Sequence, residues 1–68
     1  MTLSRAVSTG CTCYAEVGSK TFTIRTDGWL NITQELPNGK TEIEWYTDYK
    51  NAIEDYPLDT YNWHILEN

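Results

Sequence analysis

"ELPNGKTEIEWYTDY", residues 35–49, is the stretch on which the fold turns. At its centre Asn38-Gly39 is the strongest short hairpin signal a sequence carries, because a type I′ turn needs positive φ at both central positions. The flanks alternate with the period of a strand. Leu36, Thr41, Ile43 and Trp45 share one parity, and Glu35, Glu42, Glu44 and Tyr46 share the other. Closed by a two-residue loop, the hairpin sets Ile32 opposite Trp45 and Gln34 opposite Ile43. The apolar faces then agree across the turn, which is the condition that fixes register in a half-buried sheet. The same register sets Glu35 directly opposite Glu42, and like charges so placed repel.

The alternation continues toward the N-terminus. Leu30, Ile32 and Leu36 alternate with Trp29, Asn31, Thr33 and Glu35; Phe22 and Ile24 with Thr21, Thr23 and Arg25; Cys11, Cys13, Ala15 and Val17 with Thr12, Tyr14 and Glu16. A two-residue loop at Gly18-Ser19 pairs Ala15 with Phe22 and Cys13 with Ile24, and the faces agree. At the next turn a two-residue Asp27-Gly28 loop faces Leu30 to Arg25. A three-residue loop, Thr26-Asp27-Gly28, restores Ile24 opposite Leu30 and Phe22 opposite Ile32. Loops of that length place glycine in the left-handed region with a bulge, so a positive φ is expected at Gly28.

Beyond Tyr46 the period changes. Tyr49, Ala52, Ile53 and Tyr56 fall on one helical face, Thr47 or Asp48 is placed to cap the start, and Pro57 to stop it. A helix is expected over 48–56. In "YNWHIL", Tyr61, Trp63 and Ile65 alternate with Asn62, His64 and Leu66, which indicates a last strand over 61–66. Residues 1–10 are Ser/Thr-rich without a clear period and read as a loose arm or a short first strand. The expected fold is therefore α+β in one small domain, residues 1–68. A four-stranded antiparallel meander over 11–46 carries one helix on its apolar face, and a C-terminal fifth strand adds beside the first or the fourth.

Sixty-eight residues bury only about 60% of the unfolded surface, and a core of that size supplies roughly 3–5 kcal/mol of net stability. An enclosed active site has little room. The formal charge is −5, and it is unevenly spread: residues 1–40 hold four basic and three acidic side chains, residues 41–68 one and seven. That balance disfavours direct binding to nucleic acid, whose affinity comes from Lys and Arg against phosphate, and favours a partner protein with a basic surface. No segment reads as a signal peptide or membrane span, so the expected setting is the cytoplasm, with no membrane partner. Cys11 and Cys13 read as small core residues; two positions apart on a strand, they are poorly placed for a disulfide. A thiol-based regulator using that pair is a further option, marked by rapid labelling in the native state. With His64 the only histidine, neither a metal site nor a cofactor is expected. No nucleophile–base set or phosphate loop is present, and an open sheet face does not raise a carboxyl into the range of a general acid. No catalytic residue is assigned and no enzyme is expected.

If the helix covers the side bearing Phe22, Ile24, Leu30, Ile32, Ile43 and Trp45, the opposite face is left open. In the registers above it carries three aromatics, Tyr14, Trp29 and Tyr46, beside four carboxylates, Glu16, Glu35, Glu42 and Glu44. These seven are the candidate partner-binding residues. Exposed Tyr and Trp are enriched in interface hot spots, and a cation on a partner would separate Glu35 from Glu42. The blander account is that Thr, Tyr and Trp form strands well on any solvated face and that Glu keeps it soluble.

In its 68-residue frame, its tight "GS", "DG" and "NG" turns and its acidic run from Glu42 to Asp59, the chain resembles the small acidic proteins of phages and mobile elements that inhibit host defence or nucleic-acid enzymes, anti-CRISPR proteins among them. The resemblance is one of size, charge and economy, and no functional residue is carried over from it. It implies a stoichiometric inhibitor, in a bacterial host, that binds and blocks a basic surface. Some such proteins imitate DNA phosphates; a charge of −5 is moderate beside theirs. The alternative is a structural or assembly protein that forms a homo-oligomer through its aromatic open face.

Overall fold

A computed structural model describes residues 1–67. Five strands, β1 (Thr12–Val17), β2 (Lys20–Ile24), β3 (Leu30–Glu35), β4 (Thr41–Tyr46) and β5 (His64–Glu67), form one sheet in the order β4-β3-β2-β1-β5. All pairings are antiparallel. The expected meander plus C-terminal strand is what forms, with the last strand beside β1.

Two of the three hairpins have the register expected from face agreement. Cys13 pairs with Ile24 and Ala15 with Phe22, while Ile24 pairs with Leu30 and Phe22 with Ile32. The β2–β3 loop is three residues long. Gly28 N–H donates to Arg25 O at 3.0 Å, Arg25 N–H donates to Trp29 O at 2.8 Å, and Gly28 has φ 91°. Asp27 Oδ1 accepts from Trp29 N–H at 3.1 Å, steadying the exit from the turn.

The third hairpin departs from expectation by one residue. Its loop is Pro37-Asn38-Gly39, built like the second: Gly39 N–H donates to Leu36 O at 3.0 Å and Leu36 N–H to Lys40 O at 2.8 Å. Asn38 Oδ1 accepts from Lys40 N–H at 3.1 Å, as Asp27 does in its own loop. The cause is Pro37. A two-residue Asn38-Gly39 loop makes residues 37 and 40 the closing pair, which exchanges two backbone hydrogen bonds, and proline has no N–H to give. At the first loop position its fixed φ suits a type I turn. Consequently Glu35 lies opposite Thr41, Gln34 opposite Glu42, Ile32 opposite Glu44 and Leu30 opposite Tyr46. Since side chains alternate with period two, the shift exchanges the faces of all of β4.

The layer over the sheet is assembled from short pieces. Instead of an arm or strand, the N-terminal segment forms a helix, α1 (Leu3–Ser8), whose Thr2 side chain caps Arg5 N–H at 3.2 Å and whose Leu3 and Ala6 are buried. The second helix, α2 (Tyr49–Ala52), starts as expected under an Asp48 cap, with Oδ1 accepting from Lys50 N–H at 2.9 Å. It ends earlier than residue 56. Glu54 and Asp55 are unfavourable at the negative end of the helix dipole, and Pro57 biases Tyr56 away from helical geometry. A 3-10 turn (Leu58–Thr60) leads to Trp63, whose indole N–H donates to Leu58 O at 2.8 Å. Phe22, Leu30, Leu58 and Trp63 are the largest fully buried side chains. Among the described residues no helix is long and apolar enough to cross a membrane.

Candidate protein-binding face

The registers read across the sheet as rows. On the uncovered face one row is Glu16, Thr21, Thr33, Ile43, and the next is Tyr14, Thr23, Asn31, Trp45. Ile43 and Trp45 thus occupy the places expected for Glu44 and Tyr46. Trp29 stands beside Trp45, with ring centroids 6.0 Å apart at 73°, an edge-to-face geometry that aromatic pairs favour. The Arg25 guanidinium lies 5.9 Å from the centre of the Trp45 ring and pairs with Asp27 at 3.2 Å. Trp29, Trp45 and Ile43 remain 39%, 50% and 60% exposed. Together they form an apolar patch flanked by one cation at the β3–β4 corner.

The seven residues expected to form one site are divided between the two faces. Tyr14, Glu16, Trp29 and Glu35 stay on the open side. Tyr14 leans on His64, with ring centroids 5.4 Å apart, and Glu16 and Glu35 border a shallow hollow with Thr21 and Thr33. Glu42, Glu44 and Tyr46 belong to the opposite side, so the row of four carboxylates and the Glu35–Glu42 contact do not exist. The repulsion that the two-residue register required is removed by Pro37.

On that opposite side β4 stays largely exposed, and polar side chains from the segment after α2 reach it. Tyr46 Oη donates to Asp55 Oδ2 at 2.8 Å, and Tyr56 Oη donates to Glu44 Oε2 at 3.2 Å. Lys20 Nζ lies 5.0 Å above the Tyr56 ring and donates to its Oη at 3.5 Å. The hydrogen bond to Asp55, reinforced by the Glu44 carboxylate, holds the Tyr46 proton and pushes its pKa above the usual tyrosine value. Glu44 and Tyr46 are thus hydrogen-bonded on the helical side of the sheet, with Glu44 still exposed and Tyr46 half-buried. Glu42 is exposed at the rim, opposite Gln34.

Cys13 is buried, its Sγ 3.6 Å from Ala6 O. Cys11 is partly exposed just ahead of β1, with its thiol 3.6 Å from Thr9 O. Ile43 and Trp45, the residues that sequence reasoning placed in the core, are the ones that the open face presents. The signal that would have found them was in plain view at Pro37. The chain matches no family model, no curated protein and no solved structure, so its chemistry is read from its own geometry.

Proposed function

We propose that this chain is a small protein-binding module that docks a partner through the β3–β4 corner of its open face. The observation that carries this reading is the patch itself: Trp29, Ile43 and Trp45 are large, contiguous and exposed on a sheet face that no helix among the described residues covers. Tryptophan at the centre of an interface is a frequent hot spot. An overall charge of −5 favours a partner with a basic surface. A stoichiometric inhibitor that blocks such a surface on a host defence or nucleic-acid-processing protein is the form of binder this reading leads to.

The test is co-purification from bacterial lysate with the wild type and with Trp29→Ala, Trp45→Ala and Glu16→Lys/Glu35→Lys variants, each first verified as folded. A protein retained by the wild type and lost with either tryptophan supports the module. If its retention also falls with salt and with the lysine variant, the partner's surface is basic. Equal retention by all the variants refutes the patch. The same exposed patch suits a homo-oligomer as the second reading, which predicts a concentration-dependent mass in sedimentation equilibrium that Trp45→Ala abolishes.

A further inference from the structure

The two edges of the sheet are unlike. β5 is a four-residue strand whose register against β1 shifts between Thr12 and Cys13. Shortness and irregularity of this kind blunt an edge against further pairing. β4 has six residues, an unbroken ladder to β3 and neither proline nor glycine within it. Leu36 and Lys40 form a bonded pair, and bonded pairs alternate along an antiparallel ladder. Lys40, Glu42, Glu44 and Tyr46 therefore direct their backbone groups to β3. The N–H and C=O of Thr41, Ile43 and Trp45 point away from the sheet, as a template for one more strand.

The side chains beside that template decide what fits it. A second copy of this chain does not. Antiparallel pairing of residues 41–45 with their own copy sets Glu42 opposite Glu44, and pairing of 42–46 sets Glu44 opposite itself. Each like-charged pair is destabilising. Charges so placed are a recognised guard against edge-to-edge self-association. The same carboxylates attract a strand of opposite sign. We infer that the outer edge of β4 accepts an extended segment of a partner protein in which basic and apolar residues alternate. Its Lys or Arg side chains, two positions and ~6.6–6.8 Å apart, meet Glu42 and Glu44 on one face. Its intervening apolar side chains meet Ile43 and Trp45 on the other. Backbone hydrogen bonds to Thr41, Ile43 and Trp45 supply affinity, and the two rows supply selectivity. Among the described residues the one ion pair is Arg25–Asp27, so neither glutamate is already neutralised by a salt bridge. This inference rests on the protein-binding reading and narrows it to one mode.

The experiment uses the 15N-labelled chain with a blocked heptapeptide of alternating Lys and Val, and an isomer with the same composition but its lysines in one block. The alternating peptide is expected to bind the more tightly and to slow amide hydrogen exchange at Thr41, Ile43 and Trp45 by roughly tenfold or more. Ile43→Pro removes one outward N–H without touching the β3 ladder, and should abolish binding. If that variant does not fold, Glu42→Gln/Glu44→Gln tests the charges alone and should remove the salt dependence of binding. Equal binding of the two peptides, no binding, or binding without protection of those three amides overturns the inference. Binding that leaves the edge amides unprotected but is lost in Trp29→Ala marks docking flat on the open face, in which case the module reading stands and the edge-strand reading falls.

Discussion

Ile43→Thr, set against Ile32→Thr, tests the register of β4 and with it the identity of the open face. Threonine keeps the β-branch and the strand preference, so the substitution reports mainly on burial. A fully buried isoleucine side chain is worth about 1.5–3 kcal/mol. Ile43 is 60% exposed, which leaves roughly two-fifths of that, about 0.6–1.2 kcal/mol. Its hydroxyl replacement meets water, so no desolvation cost is added. Ile32 is 3% exposed; there the whole transfer term is lost and an unpartnered hydroxyl adds about 1–3 kcal/mol. With a urea m-value near 1 kcal/mol per molar, Ile43→Thr should lower the denaturation midpoint by no more than about 1 M. Ile32→Thr should cost at least about 2.5 kcal/mol, most of the roughly 3–5 kcal/mol expected for a chain this small, and leave it largely unfolded. Equal, large losses at both positions would place Ile43 in the core, opposite Gln34, and refute the three-residue loop.

Four further outcomes follow from the same geometry. Gly28→Val and Gly39→Val, at φ of 91° and 82°, should each cost about 1–3 kcal/mol in urea unfolding, because a β-branched residue is strained in the left-handed region; an unchanged midpoint at either removes its turn assignment. Tyr46 binds its proton more tightly in the folded chain than the ordinary value of 10. Its contribution to stability is therefore complete below about pH 10 and is lost as the pH rises through the folded value. The wild type should lose stability more steeply than Tyr46→Phe above pH 10, with Tyr61, also raised by burial, acting alike in both; parallel curves refute the Tyr46–Asp55 bond. Native-state alkylation should modify Cys11 well before Cys13, which is 1% exposed, and simultaneous labelling would contradict the packing of α1 over β1. Trp63→Phe should cost about 2–4 kcal/mol from the vacated volume and the lost indole hydrogen bond to the Leu58 carbonyl, which keeps only the longer Tyr61 N–H bond at 3.3 Å, and a loss below about 1 kcal/mol in the same unfolding assay would show that this indole does not hold the 3-10 turn.

The alternation of Cys13, Ala15, Phe22, Ile24, Leu30 and Ile32 was enough to place three strands, two loops and a positive φ at Gly28, because register is stringent wherever one face is apolar and the next residue is not. On β4 the same test admitted a wrong answer. Ile43 and Trp45 are as apolar as any core pair, so face agreement favoured burying them, and the missing N–H of Pro37 weighed against it silently. The N-terminal helix was illegible for a different reason. A six-residue helix is far too short to be stable alone, and it exists because Leu3 and Ala6 complete the core. Tyr14, Glu16, Trp29 and Glu35 were placed on the open face correctly, whereas Glu42, Glu44 and Tyr46 were carried to the other side by the register of a single loop.

By itself, then, the sequence determines the antiparallel meander, two of its three turns and a closing strand, since period-two alternation and Gly-bearing loops are local properties of the chain. Only the tertiary structure decides where the last strand adds and which face β4 presents. Trp63 goes under the helical layer and carries β5 to the side of β1. That layer leaves β4 largely exposed, with Tyr56 and Asp55 hydrogen-bonded to Glu44 and Tyr46. Two tryptophans and an isoleucine are left exposed because, among the described residues, no element extends over the face they occupy.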